Sequence, residues 1–299
     1  GSRYRLDRYY QISNTLLANS FCEYLDDVFI NSTYAPLLNI DKLPNKRQQK
    51  RNIIALKSKL KKTPYSYSVV EFDSNKHSAV VDQPITVMPF IGYGRRKNQL
   101  NRVIRQTIKN TQQQLLIFTP YFNLPPALAK DVVSALKRGV KTTLIIGDKT
   151  ANDFFIKDEN AFSFIGIVPY IYEILLKRFV KRYQHFIDQE LLTVHLWKHE
   201  GNSFHLKGLI SDERYHLLTG SNLNPRAWTL DLENGLLLDD PSKSLMKKVT
   251  PELMGIMQHT KQVNHYNELD SIKDYPAKPQ KLLKKIRFAQ IDRILKRFL

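Results

Sequence analysis

The sequence predicts an α/β fold, a mixed sheet flanked by helices, on three observations. Residues 114–148 read as strand, loop, helix, strand. Four short apolar stretches with turn signals between them follow a long helical pattern after residue 190. Of the 299 residues, 42% are apolar and 11% aromatic, enough to fill one large core or two modest ones and too much for a disordered chain.

Taken in order, Leu16, Leu17, Ala18, Phe21, Leu25, Val28 and Phe29 have the spacing of an amphipathic helix within Asp7 to Ile30. Lys42 to Lys62 carries nine basic residues and no acid, which suits a solvated helix face or linker, or a patch that touches anionic lipid or phosphate. "VDQPITVMPFIGYG" reads as a strand entering a turn at Gly92 and Gly94, with a helix from about Asn98 to Asn110. "QLLIFTPYF" is a buried strand ending at a Pro turn. "PPALAKDVVSALKRG" is a helix with prolines in its first turn and Gly139 as its stop, and "VKTTLIIGD" is the next strand. One helix between two strands implies a parallel pair with a right-handed crossover. Ligand groups then belong at the strands' carboxyl ends, where Thr119, Tyr121, Asp148, Lys149 and Asn152 stand. A helix over Tyr170 to Phe186 precedes the strands "LLTVHLWK", "SFHLKGLISD", "RYHLLTG" and "ENGLLLDD". On the second of these, period-two alternation places His205, Lys207 and Leu209 on one face.

Forty-six Lys and Arg against 28 Asp and Glu give a net charge of +18, which favours nucleic acid, an acidic membrane surface or a phosphate-rich substrate without choosing among them. Cys22 stands alone, so no internal disulfide is expected and a reducing compartment fits. The longest uncharged apolar stretch, Ala161 to Tyr172, is too short to span a bilayer, and any membrane contact is expected to be peripheral. The opening "GSRYRLDRYY" has no basic-then-apolar leader pattern. Gly1-Ser2 reads as a cloning remnant, or the chain begins partway through a longer protein.

"HLKGLISD" contains His205-x-Lys207-x4-Asp212, followed by Thr219-Gly220-Ser221-Asn222, "NPRAW" and Glu233. The near match "HTKQVNHY" fails, because Tyr266 stands where the acid should be, and no other histidine gives a match. The pattern resembles the HKD motif of the phospholipase D superfamily, whose G-S-x-N slot is here T-G-S-N. Together with "RYRLDRYY", "TPYFNLPPAL", "GDKTANDFFI", "NPRAWTLDLEN" and the tail from Lys273, the chain is similar to the bacterial phosphatidylserine synthases of the phospholipase D type. Ala227-Trp228 after Arg226, where the wider superfamily continues with Ser, fits that subgroup and argues against carrying over nuclease residues.

The resemblance implies a phospholipase D-like mixed sheet, the second half of a pseudo-twofold two-domain enzyme whose first HKD half lies outside this sequence. Residues 1–65 would be a helical segment connecting to that half, 66–272 the catalytic domain, and 273–299 a basic amphipathic tail. It further implies transfer of the phosphatidyl group from CDP-diacylglycerol to L-serine, releasing CMP, through a phosphatidyl-histidine. His205 would be one of a catalytic pair, the general acid and base in the commoner family arrangement or else the nucleophile, with Lys207 and Asn222 the phosphate ligands and Glu233 the acceptor of an imidazole N–H. Asp212 would be a structural hydrogen-bonding residue near the site, and Ser221 a further candidate phosphate contact. Asp148, Lys149 and Asn152, with Tyr121, would contact the cytidine phosphates or the serine, unless their loop is simply held by an Asx turn. No metal or other cofactor is expected, since no carboxylate cluster has ligand spacing. Nucleic acid is not the expected substrate.

A cytoplasmic, peripherally attached enzyme at an anionic membrane follows from the same resemblance. "FSFIGIVPYIYEILLKRF" reads either as an apolar lip or as core, and the tail from Lys273 carries nine basic residues and two acids. At about 100° per residue, Leu282, Leu283, Ile286 and Ala289 form one face while Ile291, Ile294, Leu295 and Phe298 fall nearly opposite. The expectation is either a break near Phe288 to Gln290 or one part docked on protein and the other left for lipid.

Overall fold

A computed structural model describes residues 4–31, 44–62, 69–70, 84–158 and 161–288. Strand β1 (Arg5–Leu6) leads to helix α1 (Thr15–Leu25), which continues in a π-type turn at Asp26–Ile30. The helix expected from Asp7 starts eight residues later because the Asn14 side chain caps it, accepting the Leu17 N–H. Residues before it are committed elsewhere: β1 pairs in parallel with Ser203–Phe204, and Arg8 pairs with Glu252 at 2.8 Å. The basic run is helical over α2 (Lys46–Lys62), which buries Leu60 against Tyr24 and Val28 and leaves Ile53 and Ile54 exposed.

Next come β2 (Val69–Val70), β3 (Thr86–Tyr93) and α3 (Gln99–Asn110), whose N-cap Asn98 accepts the Asn101 N–H. Gly92 lies inside β3, and only Gly94, at φ +71°, makes the turn. The strand, helix, strand unit is β4 (Gln114–Thr119), α4 (Pro126–Lys137) and β5 (Lys141–Gly147), with a parallel β4–β5 pair and Gly139 ending the helix at φ +86°. Helix α5 (Val168–Asp188) is followed by β6 (Leu192–Trp197), β7 (Ser203–Phe204), β8 (Gly208–Ser211) and β9 (Tyr215–Thr219). The short α6 (Pro225–Thr229), β10 (Leu232–Asp239), α7 (Met246–Met257), β11 (Thr260–Gln262) and α8 (Ala277–Phe288) complete the order.

The main sheet runs β11-β6-β5-β4-β8-β9-β10-β3-β2. Strand alternation divides the core between its faces. Ile117, Leu144, Val194, Leu209 and Leu217 meet Ile104 of α3, Val132 of α4 and Val180 of α5. Phe118, Ile145, Trp197 and Ile210 face the other way, onto Val249 and Ile256 of α7. Burying one such aliphatic side chain is worth about 1.5–3 kcal/mol, so the register of the sheet is strongly fixed.

One expectation fails in an informative place. His205, Leu206 and Lys207 do not continue a strand but bridge β7 and β8. The chain breaks at Gly208, where φ is +133° and a Cβ would stand 2.2 Å from the Leu217 carbonyl oxygen. Only glycine lets β8 approach β9 so closely.

The segment from Phe162 to Phe179 divides. Phe164 and Ile165 are exposed, whereas Ile167, Val168, Tyr170, Ile171 and Tyr172 are buried. Leu283 is buried and Leu282 packs beside it against this cluster, so these two residues of the tail's first face dock on protein; residues 289–299 lie outside the described residues. Among the described residues, no helix is long and apolar enough to cross a membrane.

Candidate active site

Strand direction gathers the chemistry. β4, β5, β6 and β9 run one way, while β8 and β10 run against their neighbours β4 and β9. The carboxyl ends of the first set therefore share one sheet edge with the amino ends of the second. At that edge stand Thr119, the loop after Gly147, His205 to Lys207, the loop after Thr219, and Glu233.

His205 is pinned by its backbone, donating its N–H to the Leu6 carbonyl at 2.8 Å. Its Nδ1 lies 2.8 Å from Asp7 Oδ2 and 2.7 Å from Lys207 Nζ, and Lys207 also donates to the His205 carbonyl. Nδ1 offers one N–H or one lone pair, never both. With the proton on Nδ1 shared with Asp7, Nε2 carries a lone pair and is a base. With a second proton on Nε2 the ring is an imidazolium that keeps its Nδ1–H on Asp7, and Nε2 is then the acid. Asp7 therefore suits an imidazole that must act in both senses, and the Lys207 contact holds the lysine against the ring.

Lys207 is 8% exposed. Burial pushes its ammonium down to about 8, against the opposing pull of Asp7, Asp153 and Glu233 and with help from Arg5. Burial, seconded by Asp231, pushes the Glu233 carboxyl upward, opposed by Lys207 and Arg226. A Cβ on Gly220 would lie 2.9 Å from the Glu233 Oε2, the movable end of a flexible side chain. Asn222 is held through its carbonyl, which accepts from Thr119 Oγ1 at 2.8 Å, and its buried side-chain Oδ1 has no hydrogen-bond partner among the described residues.

Other expected residues are placed differently. Ser221 is 1% exposed, and its Oγ accepts the Leu223 N–H within its own loop. Asp212 does not lie near the site. It accepts the N–H groups of Gln112, Gln113 and Gln114 at the amino end of β4, five residues of chain from Lys207, or about 16 Å at 3.3 Å per residue. Asp148 accepts from the Thr150 N–H and hydroxyl, and Asn152 Oδ1 accepts the Phe154 N–H, both holding the loop in Asx turns. Lys149 is spent on two acids, Glu173 at 2.9 Å and Asp270 at 2.6 Å. Tyr121 is buried and stacked on Tyr172, with ring centroids 5.0 Å apart.

Sequence reasoning missed Asp7, Asp153, Glu173 and Asp270. Asp7 is 198 residues from His205 in sequence, and nothing in "RLDRYY" announces a catalytic partner. The quoted likeness of that segment was the one available signal. Among the described residues, no group of three His, Cys, Asp or Glu could hold a metal ion.

Lys207 is expected to titrate near pH 8 in a nitrogen-detected NMR titration of its side chain, well below an ordinary lysine. Because Asp7 holds that value up, Asp7→Asn should lower it further; an unchanged midpoint would show that the carboxylate does not act on the lysine.

The family described as "Cardiolipin synthase, PLD-like domain" matches residues 104–257. The CDP-diacylglycerol-serine O-phosphatidyltransferases of Escherichia coli and Haemophilus influenzae are each 39% identical over 297 residues, which is 99% of this chain. The solved phosphatidylserine synthase structure from Haemophilus influenzae superposes with a TM-score of 0.85 at 39% identity, covering 96% of this chain and 63% of that one. The chain thus spans 64% of the length of the curated relatives it matches. With 96% of this chain superposing on part of that structure, and a domain match that takes in the whole His205 region, the chain belongs to the phospholipase D-like domain family.

Proposed function

We propose that this chain is the second-motif part of an enzyme that transfers the phosphatidyl group of CDP-diacylglycerol to L-serine. The observation that carries the reading is the Asp7, His205 and Lys207 cluster at the sheet edge, in a chain 39% identical over 99% of its length to named serine phosphatidyltransferases. A histidine from a first HKD motif, elsewhere in the protein, attacks the lipid-side phosphorus. The phosphoanhydride bond breaks, and CMP leaves with its electron pair and a proton from His205 Nε2. His205, now unprotonated at Nε2, takes the proton of the serine hydroxyl as that oxygen attacks phosphorus and the P–N bond breaks. Lys207 and the Asn222 amide balance charge on the non-bridging oxygens through both steps.

In this reading residues 66–272 form the catalytic domain, residues 1–65 join it to the first HKD half, and residues 273–299 are a basic tail. Glu233, with no bond to His205, is available to orient the first-motif histidine. The Asp148, Lys149 and Asn152 loop borders the site of the serine. We place the protein in the cytoplasm at an anionic membrane surface, supported by the basic helix α2 with its exposed Ile53 and Ile54 and by exposed Phe164 and Ile165. A second reading, cardiolipin synthesis, is favoured only by the family description itself.

CMP release from CDP-diacylglycerol by the native full-length protein is expected to depend on L-serine and to fall about 10³-fold or more in His205→Ala. Because Lys207 must be charged, turnover should decline as pH rises through about 8; release driven by phosphatidylglycerol and indifferent to L-serine would favour the second reading. Serine substitutions at Phe164 and Ile165 should weaken sedimentation with phosphatidylglycerol vesicles severalfold, and unaltered binding would remove those two residues from the membrane contact.

A further inference from the structure

A charge cluster, buried at Glu173 and open to solvent at Asp270, lies beside the site and is not used by the proposed chemistry. Lys149 stands between the two, one cation against two carboxylates, in a protein whose net charge is +18. The Glu173 side chain is 8% exposed. Its Oε1 accepts from Lys149, while Oε2 is buried with no hydrogen bond of normal geometry among the described residues. The Tyr275 hydroxyl, 3.4 Å from the Asp270 carbonyl, also acts on the Glu173 carboxylate as a weak donor and leaves room for a stronger one. A buried ion pair already costs desolvation, and a poorly satisfied carboxylate oxygen adds to that cost unless a stronger donor fills the place.

The surroundings say what kind of donor. Glu173, Lys149, Asn152, Tyr121 and Tyr172 line a cavity of about 20 Å³ at the carboxyl ends of β4 and β5. That is room for about one water-sized group. An ammonium is of that size, donates three hydrogen bonds and answers the excess negative charge. The loop that brings Lys149 to the cavity also carries Asp153, which pairs with Arg5 at 3.5 Å and acts on Lys207. The cavity and the reacting centre are therefore built from one loop.

We propose that Glu173 recognises the primary ammonium group of the acceptor, L-serine under the reading given above, on which this inference rests. Lys149 then sets the orientation of the carboxylate and prevents the site from holding two uncompensated acids. The recognition is a difference between acceptors, because an analogue without the ammonium leaves the buried oxygen without its stronger donor.

The test uses the native full-length protein and follows transfer from CDP-diacylglycerol. Glu173→Gln is expected to raise the KM for L-serine at least 10-fold while the KM for CDP-diacylglycerol stays within twofold, and Glu173→Asp should recover part of the loss. If Glu173→Gln does not fold, the wild-type protein decides: L-glycerate, which keeps the hydroxyl and carboxylate but lacks the ammonium, should be used at least 10-fold less well than L-serine. A serine KM within twofold of wild type in Glu173→Gln, or equal use of L-glycerate, overturns the inference. Wild-type CMP release that never depends on L-serine overturns the parent reading instead, and the choice of ligand with it.

Discussion

Opposed strand directions within one sheet are the constraint on which the rest depends. Since β8 and β10 run against β4, β5 and β9, the start of one strand and the end of the next meet at the same edge. His205 and Lys207 precede β8, Asn222 follows β9, and Glu233 opens β10, so a single layer of backbone bonds sets their relative heights. Gly208 adds the local requirement. Its positive φ releases the motif from the strand and lets Lys207 turn back onto His205.

Electrostatics at this edge follow from burial more than from the overall charge. Lys207 is a cation taken out of water, and Asp7, Asp153 and Glu233 surround it with compensating carboxylates that do not fully offset the burial. The result is an ammonium ready to hold phosphate oxygens at neutral pH. At the neighbouring cavity the balance is reversed. Burial alone would lower Lys149, yet Glu173 and Asp270 raise it, so that lysine stays charged and committed to its partners. Two lysines of similar burial thus do different work because their acids differ in number and contact.

Much of this was legible in the sequence. The period-two strands, the prolines at the start of α4 and the glycine after it gave the parallel unit, because each signal is local. The H-x-K pair and Asn222 were legible because motif spacing encodes a short loop and strand. What was not legible required distance. The partner of His205 comes from the other end of the sequence through the two-residue pairing of β1 with β7. Asp212 does hold backbone by hydrogen bonds as expected, but at the start of β4 and not beside His205, and the Ser221 hydroxyl caps its own loop; only the path of the backbone reveals either. Lys149 looked like a phosphate ligand until α5 and the segment after β11 supplied its two acids.

The central claim, that His205 acts as acid and base while another histidine carries the phosphatidyl group, is tested most directly by mapping the covalent adduct. The native full-length protein would be mixed with CDP-diacylglycerol in the absence of L-serine, quenched, digested and examined by mass spectrometry. The account predicts a phosphatidyl adduct on a histidine other than His205. An adduct on His205 itself, or CMP release with no adduct on any histidine, would contradict it.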